Sequence, residues 1–104
     1  VMETRQPGDW KTLAMTGDFL LDQKRWTRAL EFLRPATEAQ PSNGWLWKRL
    51  GLAQERLGMT QPAIQSYKAA LDLNPDDREA QSLLTGLQSV PLPLRLWNRF
   101  KRQK

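Results

Sequence analysis

The chain repeats itself. Slid by 34 positions, it lays Gly17 on Gly51, Ala29 on Ala63, Ala36 on Ala70 and Pro41 on Pro75. Leu30 falls on Ile64 and Leu33 on Tyr67. Small residues meet small ones and apolar residues meet apolar ones in a shared phase, so one structural unit is present more than once. A unit of this length is a supersecondary pair that cannot bury its apolar face alone and must stack on a neighbour. With 104 residues there is room for one such stack and one hydrophobic core.

Within the second unit the periodicity is helical. Trp47, Leu50, Ala53 and Leu57 recur at three- and four-residue spacing, which predicts a helix over 44–57 with these residues on its packing face. Ser42 or Asn43 can cap its start, and Gly58 stands where a left-handed helix end favours glycine. Thr60 is expected to cap the next helix, with Pro62 in its first turn and Ala63, Ile64, Tyr67, Ala70 and Leu71 as its apolar stripe. Asn74-Pro75 ends that helix, because proline disfavours a helical residue before it. Asp76 and Asp77 open a further helix whose apolar face is Ala80, Leu83, Leu84 and Leu87. In the first unit Asp9 can cap a helix from about Trp10 to Asp22, and a second runs from Trp26 to Ala39. Pro35 lies inside the latter and is expected to kink or interrupt it, since its ring meets the carbonyl of Glu31.

The second unit, with Trp47, Leu50-Gly51, Ala63, Tyr67, Ala70 and Pro75, resembles the tetratricopeptide repeat. Gln54 departs from it, standing where the family prefers tyrosine, and the first unit is looser, with Leu13, Thr16 and Leu20 at the Trp, Leu and Tyr positions. The resemblance implies an all-α fold of antiparallel helical hairpins. Two repeats, over 10–43 and 44–77, and a capping helix over 78–89 would form a domain of residues 1–89, followed by a tail over 90–104. It also implies that partners bind in a concave groove lined by the first helix of each repeat. Carried over by position, that groove would present Lys11, Ala14, Met15, Asp18, Leu21 and Asp22 from the first helix. The third helix would add Trp45, Lys48, Arg49, Leu52, Glu55 and Arg56, and the capping helix Glu79, Ser82 and Leu83. Chaperone-binding members grip a C-terminal carboxylate with lysine, asparagine and arginine. Lys48 matches the first lysine, but Leu52 stands where asparagine belongs, and Glu79 and Leu83 do not suit the later positions, so that mode is not expected.

Trp45 lies two residues from Trp47 and therefore points about 160° away from the packing face. An outward tryptophan anchors interfaces, unless Trp10, Met15 or the preceding loop covers it. Lys48, Arg49 and Arg56 form a basic strip beside it, either a solvated face or a seat for an acidic peptide.

The chain has no cysteine and no histidine, which excludes disulfides, thiolate or imidazole metal sites and histidine- or cysteine-based catalysis. No enzyme activity, metal or cofactor is expected. Absence of cysteine fits a reducing cytoplasm and is compatible with a periplasm, and no stretch of the sequence has the apolar length of a membrane span.

Charge is unevenly placed. Residues 1–89 hold 11 basic and 11 acidic side chains, so the net +5 belongs to residues 90–104. There Arg95, Arg99, Lys101, Arg102 and Lys104 accompany Trp97 and Phe100 in a basic amphipathic pattern. That tail either folds back as a cap on the stack or contacts an anionic membrane surface or an acidic partner through Arg95, Trp97, Arg99, Phe100, Lys101 and Arg102. Nucleic acid is not expected, since no nucleic-acid fold accompanies the charge. The sequence thus points to an interaction or scaffolding module binding a protein or peptide in its groove, on its own or as an accessory part of a larger assembly or enzyme. The alternative is a peripheral membrane or assembly factor targeted by its tail. Five tryptophans are more large aromatics than two short layers readily bury, and add self-association to the expected partners.

Overall fold

The computed structural model describes residues 7–88, and side chains from Asp9 onward. The expected tail contacts Arg95, Trp97, Arg99, Phe100, Lys101 and Arg102 lie outside the described residues. Five helices follow one another: α1 (Pro7–Asp22), α2 (Trp26–Ala39), α3 (Gly44–Arg56), α4 (Thr60–Leu73) and α5 (Arg78–Gln88). Consecutive helices pack on each other, α1 on α2 and α3 on α4 as hairpins, with α2 against α3 and α4 against α5 joining them into a stack. No strand occurs among the described residues.

Small residues set how close the paired helices come. A Cβ added to Gly17 would stand 2.6 Å from Leu33 Cγ, and one added to Gly51 would stand 2.7 Å from Tyr67 Cε1. The two glycines occupy the same place in the two hairpins, and so do Leu33 and Tyr67. Ala29, Leu33 and Ala36 in α2 and Ala63, Tyr67 and Ala70 in α4 complete the two seams and are buried. Ala14, Leu21, Leu46, Leu50 and Ala53 join the first seam in one core, with Trp10, Leu13, Trp26 and Trp47 packed half-buried against it.

Four local expectations need correction. Leu57 is not on the packing face of α3: it caps the helix end and is exposed, while Leu46, a residue earlier than Trp47, is buried. Leu46 faces the preceding hairpin and Trp47 flanks that contact, with its indole Nε1 donating to the Pro41 carbonyl at 2.7 Å. Thr60 is the first residue of α4 and gives it no side-chain cap; Met59 holds that position. Asp9 lies inside the first turn of α1, which begins at Pro7. Of the kink or interruption expected at Pro35, the interruption does not occur, since α2 runs through it unbroken. Glu31 and Pro35 share the outer, solvent-facing side of that helix, where water can take the carbonyl the proline cannot serve.

Other caps follow the sequence. Asn43 Oδ1 accepts the Leu46 N–H at 3.3 Å, and Gly58 takes φ +81° at the end of α3. Lys24, its counterpart 34 residues earlier, takes φ +61° without being glycine.

Candidate partner-binding surface

The sequence-based candidate side chains come from the first helix of each hairpin, and two ion-pair bridges fix those helices side by side. Arg49 Nε on α3 lies 3.4 Å from Asp18 Oδ1 on α1. Both atoms are buried and neither makes a geometrically sound hydrogen bond, so the attraction is chiefly electrostatic. Lys48 Nζ on α3 reaches Asp77 Oδ2 at 2.8 Å and Glu79 Oε1 at 3.0 Å at the start of α5. Thus α1, α3 and α5 share one side of the stack.

The Lys48–Asp77 pair is well shielded, its side chains 13% and 16% exposed. Burial works against the Lys48 ammonium, but the hydrogen bonds to Asp77 and Glu79 outweigh it and raise the lysine above its ordinary value. The Lys48 hydrogen bond, helped by the N–H of Ala80, lowers Asp77 below the usual carboxylate range. Asp77 acts at two places at once, because its other oxygen, Oδ1, accepts that N–H at 3.1 Å and caps α5. One carboxylate therefore starts the helix and ties it to α3.

Trp45 remains 40% exposed. The Arg49 guanidinium lies over its ring, 5.3 Å from the centroid. Arg56 is exposed, with its guanidinium 5.6 Å from the Trp26 ring at the start of α2. Leu52 is half-buried against the core. Glu55 accepts a 2.8 Å hydrogen bond from the Tyr67 hydroxyl, and burial together with that carboxylate holds the phenol well above its ordinary value.

The sequence-based set is therefore partly assembled and partly redistributed. Trp45, Lys48, Leu52 and Arg56 lie along α3, with Asp18 joined to them through Arg49. The basic strip of Lys48, Arg49 and Arg56 is not a row of free cations, since each is matched by a carboxylate or a ring. Met15 stands where Arg49 stands in the next hairpin, a position that reaches back to the preceding helix, so it faces the end of the stack and is 72% exposed. Lys11 is exposed at the same end, its ammonium 6.0 Å from the Trp10 ring. Sequence reasoning missed Asp77 as the groove lysine's partner. The signal was there in an aspartate directly before a helix start, but pairing across 29 residues is visible only in three dimensions.

Two further features lay outside the expected site. Phe19 is 60% exposed on α1, one turn from Met15. A recess of about 390 Å3 opens between α2 and α3, lined by Arg34, Thr37, Glu38, Pro41, Trp47, Leu50 and Gln54. Gln54, shorter than tyrosine, is buried at the inner end and accepts a 2.6 Å hydrogen bond from the Ser66 hydroxyl.

A stack of antiparallel helical hairpins at a 34-residue period, with glycine and alanine seams and side chains gathered on the first helices, defines a helical-repeat protein of the α-solenoid class. The tetratricopeptide repeat profile matches residues 20–87, and the chain belongs to the tetratricopeptide repeat family. Among solved structures, that of a MamA point mutant is similar at a TM-score of 0.72 and 28% identity, over 75% of this chain and 57% of that one. The chain thus spans little more than half the length of that structure. The first tetratricopeptide domain of Spaghetti (RPAP3), bound to the HSP90 peptide SRMEEVD, matches over 80% of this chain and 93% of that one at 17% identity. Its TM-score of 0.41 is too low to bear on this chain. No curated protein sequence matches.

Proposed function

We propose that this chain is a non-catalytic interaction module that holds a peptide or protein segment along the face shared by α1, α3 and α5. The observation that carries it is Trp45, a large aromatic left 40% exposed beside Leu52 and Arg56 on the central helix. An amphipathic ring held by a neighbouring guanidinium costs little entropy to bury against a partner. Lys48 and Arg49 hold the three helices in register and are neutralised by Asp77, Glu79 and Asp18. The favoured ligand is therefore a segment with an apolar or aromatic anchor for Trp45 and Leu52, not a carboxylate-rich tail. Tetratricopeptide repeat proteins generally serve as interaction modules, which supports the class of function.

The test is selection of a peptide library on the full chain, followed by titration of the enriched peptide against variants. Trp45→Ala and Leu52→Glu are expected to weaken binding at least about tenfold, the loss typical of a central anchor. Unchanged affinity in both would move the working surface elsewhere. A second reading rests on the +5 charge of residues 90–104, which suits a peripheral contact with an anionic membrane. Co-sedimentation with vesicles of phosphatidylserine and phosphatidylcholine separates it, since groove variants would leave that binding intact and salt would abolish it. No helix of the described residues is long and apolar enough to cross a membrane.

A further inference from the structure

The leading face of each hairpin's first helix is built from the same three positions. In α3 they are Leu46, Arg49 and Ala53, and in α5 Ala80, Leu83 and Leu87. Leu46, Ala53 and Ala80 are fully buried, Arg49 reaches back to Asp18, and Leu83 and Leu87 are half-covered. In α1 the corresponding residues are Thr12, Met15 and Phe19, with Met15 72% and Phe19 60% exposed. The first of the described helices thus carries an interior helix's face with two large apolar side chains on it.

The charges flanking these side chains say what fits there. Lys11, Met15, Phe19 and Asp22 fall within a stripe about 80° wide on the helix. Its N-terminal end is a cation, its middle apolar and its C-terminal end an anion, and both charged residues are exposed. Among the described residues Asp22 has no ion pair. A second α1 laid antiparallel, centred at the level of Gly17, sets Met15 of one copy opposite Phe19 of the other. Lys11 of each then comes within about one residue rise, ~1.5 Å, of the level of Asp22 of the other. A stripe with opposite charges at its two ends and an apolar centre is its own complement under a two-fold rotation, as an isologous interface requires.

We infer that the α1 stripe of Lys11, Met15, Phe19 and Asp22 docks on a second copy of this chain, antiparallel and two-fold symmetric. Lys11 and Asp22 stand where Trp45 and Arg56 stand in the next hairpin and so border the proposed partner face, whereas the counterpart of Phe19 is the buried Ala53, so Phe19→Glu is the variant that separates self-association from partner binding. One helix pair is smaller than a standard interface, which sets the dimer in the micromolar range or weaker.

The experiment is sedimentation equilibrium of the full chain from about 10 μM to 1 mM, the range such an interface calls for. The expected mass rises from 12.1 kDa towards twice that value. Phe19→Glu is expected to weaken association at least about tenfold, with an unchanged helical circular dichroism spectrum because Phe19 is not in the core. Lys11→Glu and Asp22→Lys should each weaken it about three- to tenfold, and the double variant should recover it, since the two ends then exchange charge and attract across the two-fold axis again. A monomer throughout, a dimer indifferent to Phe19→Glu, or a double variant no better than its parents would overturn the proposal.

Discussion

Lys24 and Gly58 stand at the same place in their hairpins and both hold left-handed backbone, φ +61° and +81°. Glycine adopts that conformation freely, whereas for a residue with a Cβ it costs roughly 1 kcal/mol. Lys24→Gly is therefore expected to stabilise the protein by about 0.5–1 kcal/mol, and Gly58→Ala to destabilise it by a similar amount. Urea denaturation of both variants against the parent measures this, and a destabilising Lys24→Gly would mean the lysine side chain contributes something its backbone strain conceals. Gly17 and Gly51 have a different reason to be glycine, since a Cβ there would meet Leu33 or Tyr67. The spacing of the repeat made all of these positions legible except Lys24, where nothing in the residue type betrays the turn.

At the scale of the helices, Asp77 decides how α5 begins and where it sits. Asp77→Asn keeps a good N-cap but removes the charge facing Lys48, so it isolates the ion pair. The folded Asp77 is lowered below its ordinary 3.8, so its contribution is present above that value and lost as pH falls through the folded one. Lys48 is raised above 10.5, so its share persists below that value and is lost as pH rises through the folded one. The parent should therefore exceed Asp77→Asn by about 1–2 kcal/mol between about pH 5 and 9, with the gap closing in acid. Urea midpoints across pH measure it. A gap independent of pH would assign the loss to packing and not to charge.

Across the molecule, stability should follow the stack. The two hairpins share a seam between α2 and α3, whereas α5 packs chiefly on α4 and buries fully only Ala80. In a chain of nearest-neighbour contacts the end element opens first. Amide hydrogen exchange should therefore be fastest in α5 and slowest in α2–α4. Equal protection in α5 would show that it is held by more than α4, the expectation if residues 90–104 close over it.

The 34-residue period, the all-helical class, most helix ends and the small residues at the seams are legible in the amino acids alone. Backbone chemistry and local spacing dictate them, and any single hairpin already contains both. It took the folded stack to show that Lys48 and Arg49 are spoken for, that Leu46 and not Leu57 is buried, and that Met15 and Phe19 stand exposed at one end. Each of these depends on which element comes to lie beside which, and a helical pattern fixes a face without naming what that face will meet.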